Sequence, residues 1–400
     1  MNAINNLLKT TLYFFFDNCT IFLARILKKK ELKRNRILIF RFDAIGDYII
    51  FRNFLEQLRK SELFASFEME FWGNLQWKDL FLQFDAGFVN EYYLLDTGKF
   101  ADNLPYRLKW IWKSAGKKVS LLINPVYSRK YYLEILSKAI NAEQKISFKG
   151  DYTSITKFQE LITRNYYTEK LNIQHCLHDF SKTAFLYTYL TQEVYKLDSP
   201  VIEIEKNRQE DFFKLHQILP GFVLLFPGSR EPQKRWPGTN FLSVCRYLIN
   251  TYQYNVIIAG DKNDKQVAEF IEAGLTVIEK SYFFDFTSKT TLTELLYLIA
   301  GSRLLVTNDS CSVHMAVALD KKAIGIFNGQ HFGRFAPYTA DLKKAGDNDR
   351  QLKRVYLYPF EVNMGNLLFY ASKYKHKTDH LIKEIKIEDI NYYIEQLIKN

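Results

Sequence analysis

The chain alternates short apolar runs with longer stretches in which apolar residues recur every three or four positions. Short runs bounded by turn residues predict buried strands, and the longer spacing predicts helices. Strands are predicted at residues 37–40, 67–72, 119–123, 222–226, 256–259, 304–307 and 323–327. Helices are predicted at residues 48–60, 176–196, 292–299 and 387–398. This alternation predicts an α/β protein with parallel sheets that carry helices on both faces.

Composition and length indicate a folded chain with two domains. Hydrophobic residues make up 47% of the 400 residues and charged residues 25%, which is ordinary for globular proteins and excludes extensive disorder. At about 150 residues per domain, the length predicts two domains. We place an N-terminal segment at 1–36, a first Rossmann-like domain at 37–195, a second at 196–380 and a C-terminal helix at 381–400.

The N-terminal segment combines an apolar helical face with positive charge. Eight basic residues against two acidic ones give it +6 of the net charge of +11. The apolar face comprises Leu8, Leu12, Phe15, Phe16, Cys19, Phe22, Leu23, Ile26 and Leu27. Lys9, Asp17 and Arg25 interrupt any run long enough to span a bilayer, and no signal-peptide pattern is present. The helix therefore either lies in an anionic bilayer surface, which its broad apolar face favours, or packs on its own domain.

Other partner classes receive little support from the sequence. The basic charge is not accompanied by a nucleic-acid-binding motif, so no nucleic-acid partner is predicted. The four cysteines, at positions 19, 176, 245 and 311, lack metal-ligand spacing, so neither a zinc site nor a disulfide framework is predicted. The one Asp-x-Asp pattern, Asp347 and Asp349, lies in a polar segment that we interpret as surface.

Candidate chemistry lies in the loops that follow the predicted strands, because ligands of open parallel sheets bind at the carboxyl ends of the strands. The loop after residues 304–307 offers Asp309 or Ser310 as a helix N-cap. The N–H groups of such a helix start suit a phosphate, although an ordinary capped helix has the same pattern. The loop at 227–237 contains Lys234, which could neutralise a departing diphosphate or lie in a solvated turn.

The first loop, Arg41 to Asp47, has too few glycines for a dinucleotide fingerprint and no P-loop pattern, so NAD or ATP chemistry is not predicted. It instead places carboxylates at the mouth of the first sheet. Asp47 could accept a proton there or act only as a helix cap.

Together these motifs resemble glycosyltransferase family 9, the heptosyltransferases of lipopolysaccharide core assembly. The resemblance spans residues 37–340 and rests on four stretches: Ile37–Arg41 with Gly46-Asp47, Pro227–Ser229 with Lys234–Pro237, Gly260 with Asp264, and Asp309-Ser310 with His314–Ala316. It implies a GT-B fold of two Rossmann-like domains that face a central cleft. It also implies inverting, metal-independent transfer from a nucleotide-sugar, with heptose as the first expectation and no cofactor.

The resemblance assigns a role to each position. Asp47 resembles the general base, and Lys234 resembles the residue that binds the donor phosphates. The remaining donor-phosphate positions are Ser229, Asp309, Ser310, Cys311 and Ser312. Asp264 and Gly260 correspond to the ribose side, and His314, Arg41 and Asp43 are further candidates. The implied acceptor is a lipid-linked saccharide, which indicates a peripheral enzyme on the cytoplasmic face of the membrane.

The sequence also departs from the family pattern. Cys311 replaces a usual Gly, so its β-carbon either narrows the phosphate site or requires another backbone angle. Ser312 replaces a frequent Pro, and residues 341–380 resemble extra or reshaped material. Three alternatives therefore stay open: transfer of another sugar, an epimerase or hydrolase of the same fold, and a non-catalytic nucleotide-binding module.

Overall fold

The protein is described by a computed structural model that covers residues 2–28, 35–174, 177–338, 353–362, 371–373 and 377–399, with side chains from residue 9 onwards. Contacts divide the chain into two compact units. The first unit contains Met1–Ala44, Phe54–His175 and Thr183–Tyr195. The second contains Ile45–Asn53, Cys176–Lys182 and Lys196–Asn400. Residues 45–53 and 176–182, which we predicted within the first domain, thus cluster with the second unit.

The first unit contains a six-stranded sheet in which all neighbouring strands are parallel. Its strands are β1 (Arg36–Arg41), β2 (Glu68–Asn74), β3 (Glu91–Leu95), β4 (Lys118–Asn124), β5 (Asn141–Phe148) and β6 (Glu169–Leu171). The order is β3-β2-β1-β4-β5-β6. All six residues of β1 are buried, as expected for a central strand covered on both faces.

Helices surround this sheet and contribute to its core. They are α1 (Asn2–Leu27), α3 (Asn53–Lys60), α4 (Lys78–Phe84), α5 (Thr97–Asp102), α6 (Leu104–Ser114), α7 (Tyr131–Ala139), α8 (Lys157–Thr163) and α9 (Asp179–Thr191). Helices α3 and α9 cross the division between the units near their first residues. Ile21 and Ala24 of α1 join Phe40 and Trp72 in one buried cluster.

The second unit repeats the same strand order. Its strands are β7 (Val223–Phe226), β8 (Val256–Ile258), β9 (Phe283–Asp285), β10 (Leu304–Asn308), β11 (Ala323–Ile326) and β12 (Arg354–Leu357). They are parallel in the order β12-β11-β10-β7-β8-β9. Its helices are α2 (Ile45–Phe51), α10 (Lys206–Leu215), α11 (Gly238–Tyr252), α12 (Lys265–Gly274), α13 (Val277–Lys280), α14 (Leu292–Gly301), α15 (Cys311–Ala318) and α16 (Ile387–Lys399).

The predicted α/β class with two parallel sheets is confirmed. Every strand predicted from the apolar runs is present, with ends that differ by one or two residues. In both sheets the strand order reverses beside the first strand of the unit, between β1 and β4 and between β7 and β10. Such reversals are where doubly wound sheets bind ligands, since the following loops diverge there. The loops after β7 and β10 are therefore the first place to look for a site.

Helix α1 is held to the first unit by its polar side. The Asp17 carboxylate accepts hydrogen bonds from the Arg107 guanidinium of α6, with Oδ2 2.6 Å from Nη2, and both side chains are buried. A second pair, Lys9 with Asp102, is solvent-exposed. Buried pairs leave an uncompensated charge when one partner is removed, whereas exposed pairs contribute little.

We predict that Asp17→Ala detaches α1, because Arg107 is then left buried without its carboxylate. Amide exchange in α1 should accelerate as its opening free energy falls by about 3–5 kcal/mol. Asp102→Ala is the matched control and should lower that free energy by no more than about 1 kcal/mol. Equal exchange rates in the two variants would contradict this account of how α1 is attached.

Candidate active site

The loops after β7 and β10 are joined through one buried amide. Thr307 pairs with Phe226 in the sheet, so the residues that follow each strand are neighbours. The Asn308 side chain donates from Nδ2 to the Pro227 carbonyl at 2.6 Å and accepts from the Trp236 N–H at 3.2 Å. Asn308 is fully buried, so both halves of its amide need partners. This residue fixes the separation between the two loops.

Lys234 lies on a single 3-10 turn, Pro232–Lys234, in the loop after β7. Its Nζ is 2.7 Å from Asp309 Oδ2, and the two side chains are 11% and 10% exposed. Burial lowers the pKa of Lys234, but the carboxylates of Asp309, Glu231 and Asp47 raise it above its ordinary value. The ammonium is therefore charged at neutral pH and is held at the carboxyl end of β10.

Ser229 and Asp309 contact each other and the neighbouring cations, and their predicted binding of a donor phosphate stays a prediction. The Ser229 hydroxyl donates to the Asp309 carbonyl at 2.9 Å, and the Arg235 Nε donates to the Ser229 carbonyl at 2.7 Å. A carboxylate only accepts hydrogen bonds, so Asp309 cannot itself donate to a phosphate. Its observed contact instead positions the ammonium of Lys234.

The N-terminus of α15 opens beside this pair without a side-chain cap. Ser310 is the N-cap residue, in extended conformation, and makes no side-chain hydrogen bond to the helix N–H groups. Its hydroxyl instead lies 2.7 Å from that of Ser312, which is 2.6 Å from that of Thr307. The Val313 N–H donates to the Ser310 carbonyl at 3.3 Å, so the N–H groups of Cys311 and Ser312 are the ones at the open helix end, where the helix dipole favours an anion.

Cys311 is the first residue of α15 and has no positive φ. Its β-carbon therefore causes no backbone strain, and the expected effect of Cys311 on the phosphate site stays a prediction. Burial raises the pKa of the thiol to about 12, so it stays neutral and adds no negative charge to the helix start.

Asp47 reaches the same unit on the short helix α2. The helix packs against α15, and Tyr48 to Phe51 are buried there. Gly46 makes this packing possible, since a β-carbon at that position would lie 2.7 Å from Cδ2 of His314 and 3.6 Å from the Cys311 Cα. Asp47 follows directly, and its charge contributes to the raised pKa of Lys234. The structure therefore brings Asp47, Lys234, Asp309 and the start of α15 together.

His314 supports α15 from within. Its Nδ1 is 2.9 Å from the Tyr338 hydroxyl, and burial lowers its pKa to about 4, so the ring is neutral at physiological pH. The His314 ring packs against Gly46 and is buried from solvent. We interpret His314 as a positioning residue for α2 and α15.

A polar cluster that the sequence reading did not single out lies next to this histidine. The His178 ring packs against Tyr338 in a tilted arrangement with the ring centroids 4.3 Å apart, and its Nε2 is 2.9 Å from the Phe335 carbonyl. Asp179 pairs with Arg334 at 3.0 Å and with Lys182 at 2.7 Å. Burial raises the pKa of Asp179, but these two cations lower it well below its ordinary value. In the sequence, the cluster could have been found from the stretch 331–338, which combines aromatic residues with His331 and Arg334.

Asp264 is buried inside the loops rather than on their surface. Its Oδ2 accepts a hydrogen bond from the Asp261 N–H at 2.9 Å, and its Oδ1 is 3.3 Å from Arg235 Nη1. Gly228 and Gly260 border the carboxylate so closely that a β-carbon on either would lie within 2.6 Å of it. Burial raises the pKa of Asp264. Asp264 thus orders the loops after β7 and β8, and its part in ribose binding stays a prediction.

Arg41 and Asp43 belong to the first unit, unlike Asp47. Arg41 Nε pairs with Asp43 Oδ1 at 2.9 Å. The Trp77 indole and the Asn74 amide donate to the Asp43 carbonyl at 3.2 and 3.1 Å. These contacts hold the end of β1, and a part for Arg41 or Asp43 in the site stays a prediction.

The described residues contain neither a cluster of metal-ligating side chains nor a membrane-spanning helix. Within residues 2–28, 35–174, 177–338 and the three shorter stretches, no group of three His, Cys, Asp or Glu side chains is placed to hold a metal ion. In the same residues no helix has the length and apolarity to cross a bilayer. Asp347 and Asp349, interpreted from sequence as surface, lie outside the described residues.

Comparison with known proteins places the sequence in a family. The sequence profile of glycosyltransferase family 9 (heptosyltransferase) matches residues 134–357. Lipopolysaccharide heptosyltransferase 2 of Salmonella typhimurium is 30% identical over 128 residues, which are 32% of this chain and 36% of that protein. The chain thus spans about a third of the length of the curated relatives it matches.

Two solved structures resemble the whole described fold. A family 9 glycosyltransferase from Veillonella parvula superposes with a TM-score of 0.67 at 17% identity, over 93% of this chain and 99% of that one. The ADP-heptose lipopolysaccharide heptosyltransferase II of E. coli superposes with a TM-score of 0.66 at 14% identity, over 91% and 98%. The fold is therefore GT-B, as predicted, and because the family profile covers more than half of the sequence, the chain belongs to glycosyltransferase family 9.

Proposed function

We propose that the protein is an inverting glycosyltransferase that moves heptose from ADP-heptose, or from a similar nucleotide-sugar, to a lipid-linked saccharide of the lipopolysaccharide core. The reaction takes place at the cytoplasmic face of the membrane. One observation carries the proposal: a carboxylate on α2, a charged lysine and an uncapped helix N-terminus gather in one unit. The names of the Salmonella and E. coli relatives support the sugar and its donor.

On the donor side, the site stabilises the departing diphosphate. Lys234 supplies a positive charge, and the N–H groups at the start of α15 supply hydrogen bonds aligned with the helix dipole. Donors fixed before the reaction stabilise the charge that develops in the transition state without further reorganisation. Asp309 and Asn308 do this fixing, since one holds the ammonium and the other joins the loops. These groups supply the charge stabilisation that transfer needs, and we therefore propose metal-independent transfer.

On the acceptor side, Asp47 acts as the general base. A sugar hydroxyl attacks the anomeric carbon effectively only as its proton is removed, and a positioned carboxylate can take that proton. Inversion requires attack from the side opposite the leaving diphosphate. Asp47 therefore serves the acceptor while Lys234 serves the donor, and Gly46 sets the position of α2 that this arrangement needs.

We predict that Asp47→Asn lowers kcat by about 10²–10⁴-fold, because an amide cannot accept the proton. Donor affinity should be unchanged in calorimetry, since Lys234 and α15 are intact. Asp198→Asn, at an exposed site in the same unit, is the control and should keep full turnover. Turnover of the Asp47 variant at the parent rate would refute the base assignment.

We predict that Lys234→Met weakens donor binding by about 10–100-fold, because a hydrogen bond from a charged group is lost at the diphosphate. Arg230→Ala provides a control within the same loop, since Arg230 is exposed. Melting of the ligand-free variants separates lost folding from lost binding. Unaltered donor affinity in a folded Lys234 variant would count against the assigned role.

Gly46→Ala tests the placement of Asp47. Its β-carbon would meet the His314 ring, so α2 must shift, and a shift of about 1 Å is expected to lower kcat by about 100-fold. Gly87→Ala adds the same methyl group where no atom lies within 4 Å and should be silent. If both alanines leave kcat unchanged, the packing of α2 on α15 does not position the base.

A further inference from the structure

Helix α1 is oriented with its polar side towards the protein. Besides the Asp17–Arg107 pair, the Tyr13 hydroxyl donates to the Asp102 carbonyl at 2.9 Å. Near the end of the helix, Lys28 donates to the Ala115 carbonyl at 3.0 Å. Of its apolar residues, Ile21 and Ala24 are buried. A helix attached in this way keeps its contacts to the first unit without using its main apolar stripe.

That stripe points into solvent. We define the outer face of α1 as seven residues whose exposed fractions run from 36% to 68%: Leu12, Phe15, Phe16, Phe22, Leu23, Ile26 and Leu27. These are positions that helical spacing predicts to share one side. Contiguous exposed apolar surface of this kind marks a site for a membrane or another protein. The helix thus packs on its own domain, as one sequence interpretation expected, and still presents the apolar face required by the other.

Positive charge gathers beside the second half of the helix. The pKa of Lys28 is lowered by burial and by the charges of Lys117 and Lys113. The pKa of Lys138 is lowered by burial and by Arg25. Lys117 is paired with Glu70 at 2.6 Å, whereas the observed partner of Lys28 is the neutral Ala115 carbonyl, so the repulsion among these cations is only partly compensated and a negatively charged surface next to them would be favourable. An exposed indole, Trp112, stands 5.7 Å from the Lys28 ammonium, and Trp is enriched where membranes meet water.

We propose that the outer face of α1 seats the protein on an anionic lipid bilayer, with the helix lying parallel to the surface. The apolar side chains enter the acyl boundary while the surrounding cations meet anionic headgroups. A second copy of the chain fits this face less well, because it would bring the same positive charges into contact. Only the use of this membrane contact rests on the proposed function: it would hold the enzyme where a lipid-linked acceptor is embedded.

The test compares vesicle co-sedimentation of the full chain and of Phe15→Asp/Phe22→Asp. Both replaced side chains are more than half exposed, so folding should be retained and is checked by melting. On vesicles of phosphatidylethanolamine with phosphatidylglycerol, the double variant should bind about 100-fold more weakly, about tenfold for each charge placed in the apolar contact. Val277→Asp/Ile278→Asp, at residues 88% and 76% exposed, is the matched control and should bind like the parent.

Binding should fall with added salt and on vesicles of phosphatidylcholine alone, because the cations then lose their partners. Equal partitioning of parent and double variant would overturn the proposal. So would a concentration-dependent dimer in sedimentation equilibrium that is lost in the double variant while vesicle binding is absent. Asp47→Asn should bind vesicles fully, so a failed base assignment and a failed docking surface give different results.

Discussion

The ion pair between Lys234 and Asp309 is the contact on which the rest of the site depends. It joins the loop after β7 to the loop after β10 at the point where the strand order of the second sheet reverses. A buried ammonium needs a partner to remain charged, and the carboxylate supplies it. Because Asp309 directly precedes the N-cap of α15, the same pair places a positive charge next to the helix N-terminus. The positive charge of Lys234 and the N-terminal end of the α15 dipole, both of which favour an anion, are thus neighbours.

The close packing of the loops around this pair explains the presence of several nearby residues. Asn308 has both halves of its amide satisfied across the two loops, and Asp264 fills the space that Gly228 and Gly260 leave open. Burial keeps His314 neutral, so this residue of α15 adds no charge of its own to the site. Hydrogen bonds and ion pairs among these side chains fix their positions before a ligand binds, which is the condition for stabilising charge without reorganisation.

Much of the fold could be predicted from sequence, because each central strand is a short buried apolar run between turn residues. The loops with chemistry could also be located, since parallel sheets collect them at one edge. The grouping of α2 with the second unit could not be predicted, because it depends on the contact of Gly46 with His314, distant in sequence. The positioning role of Asp309 was missed because a motif does not reveal which side chain a carboxylate faces. The orientation of α1 was equally hidden, since Arg107, the partner of Asp17, lies 90 residues away.

A structure of the complex with a nucleoside diphosphate-sugar tests the central claim most directly. The account predicts diphosphate oxygens within hydrogen-bond distance of Lys234 Nζ and of the first N–H groups of α15, with the anomeric carbon turned towards Asp47. A diphosphate bound away from both Lys234 and the start of α15 would contradict it.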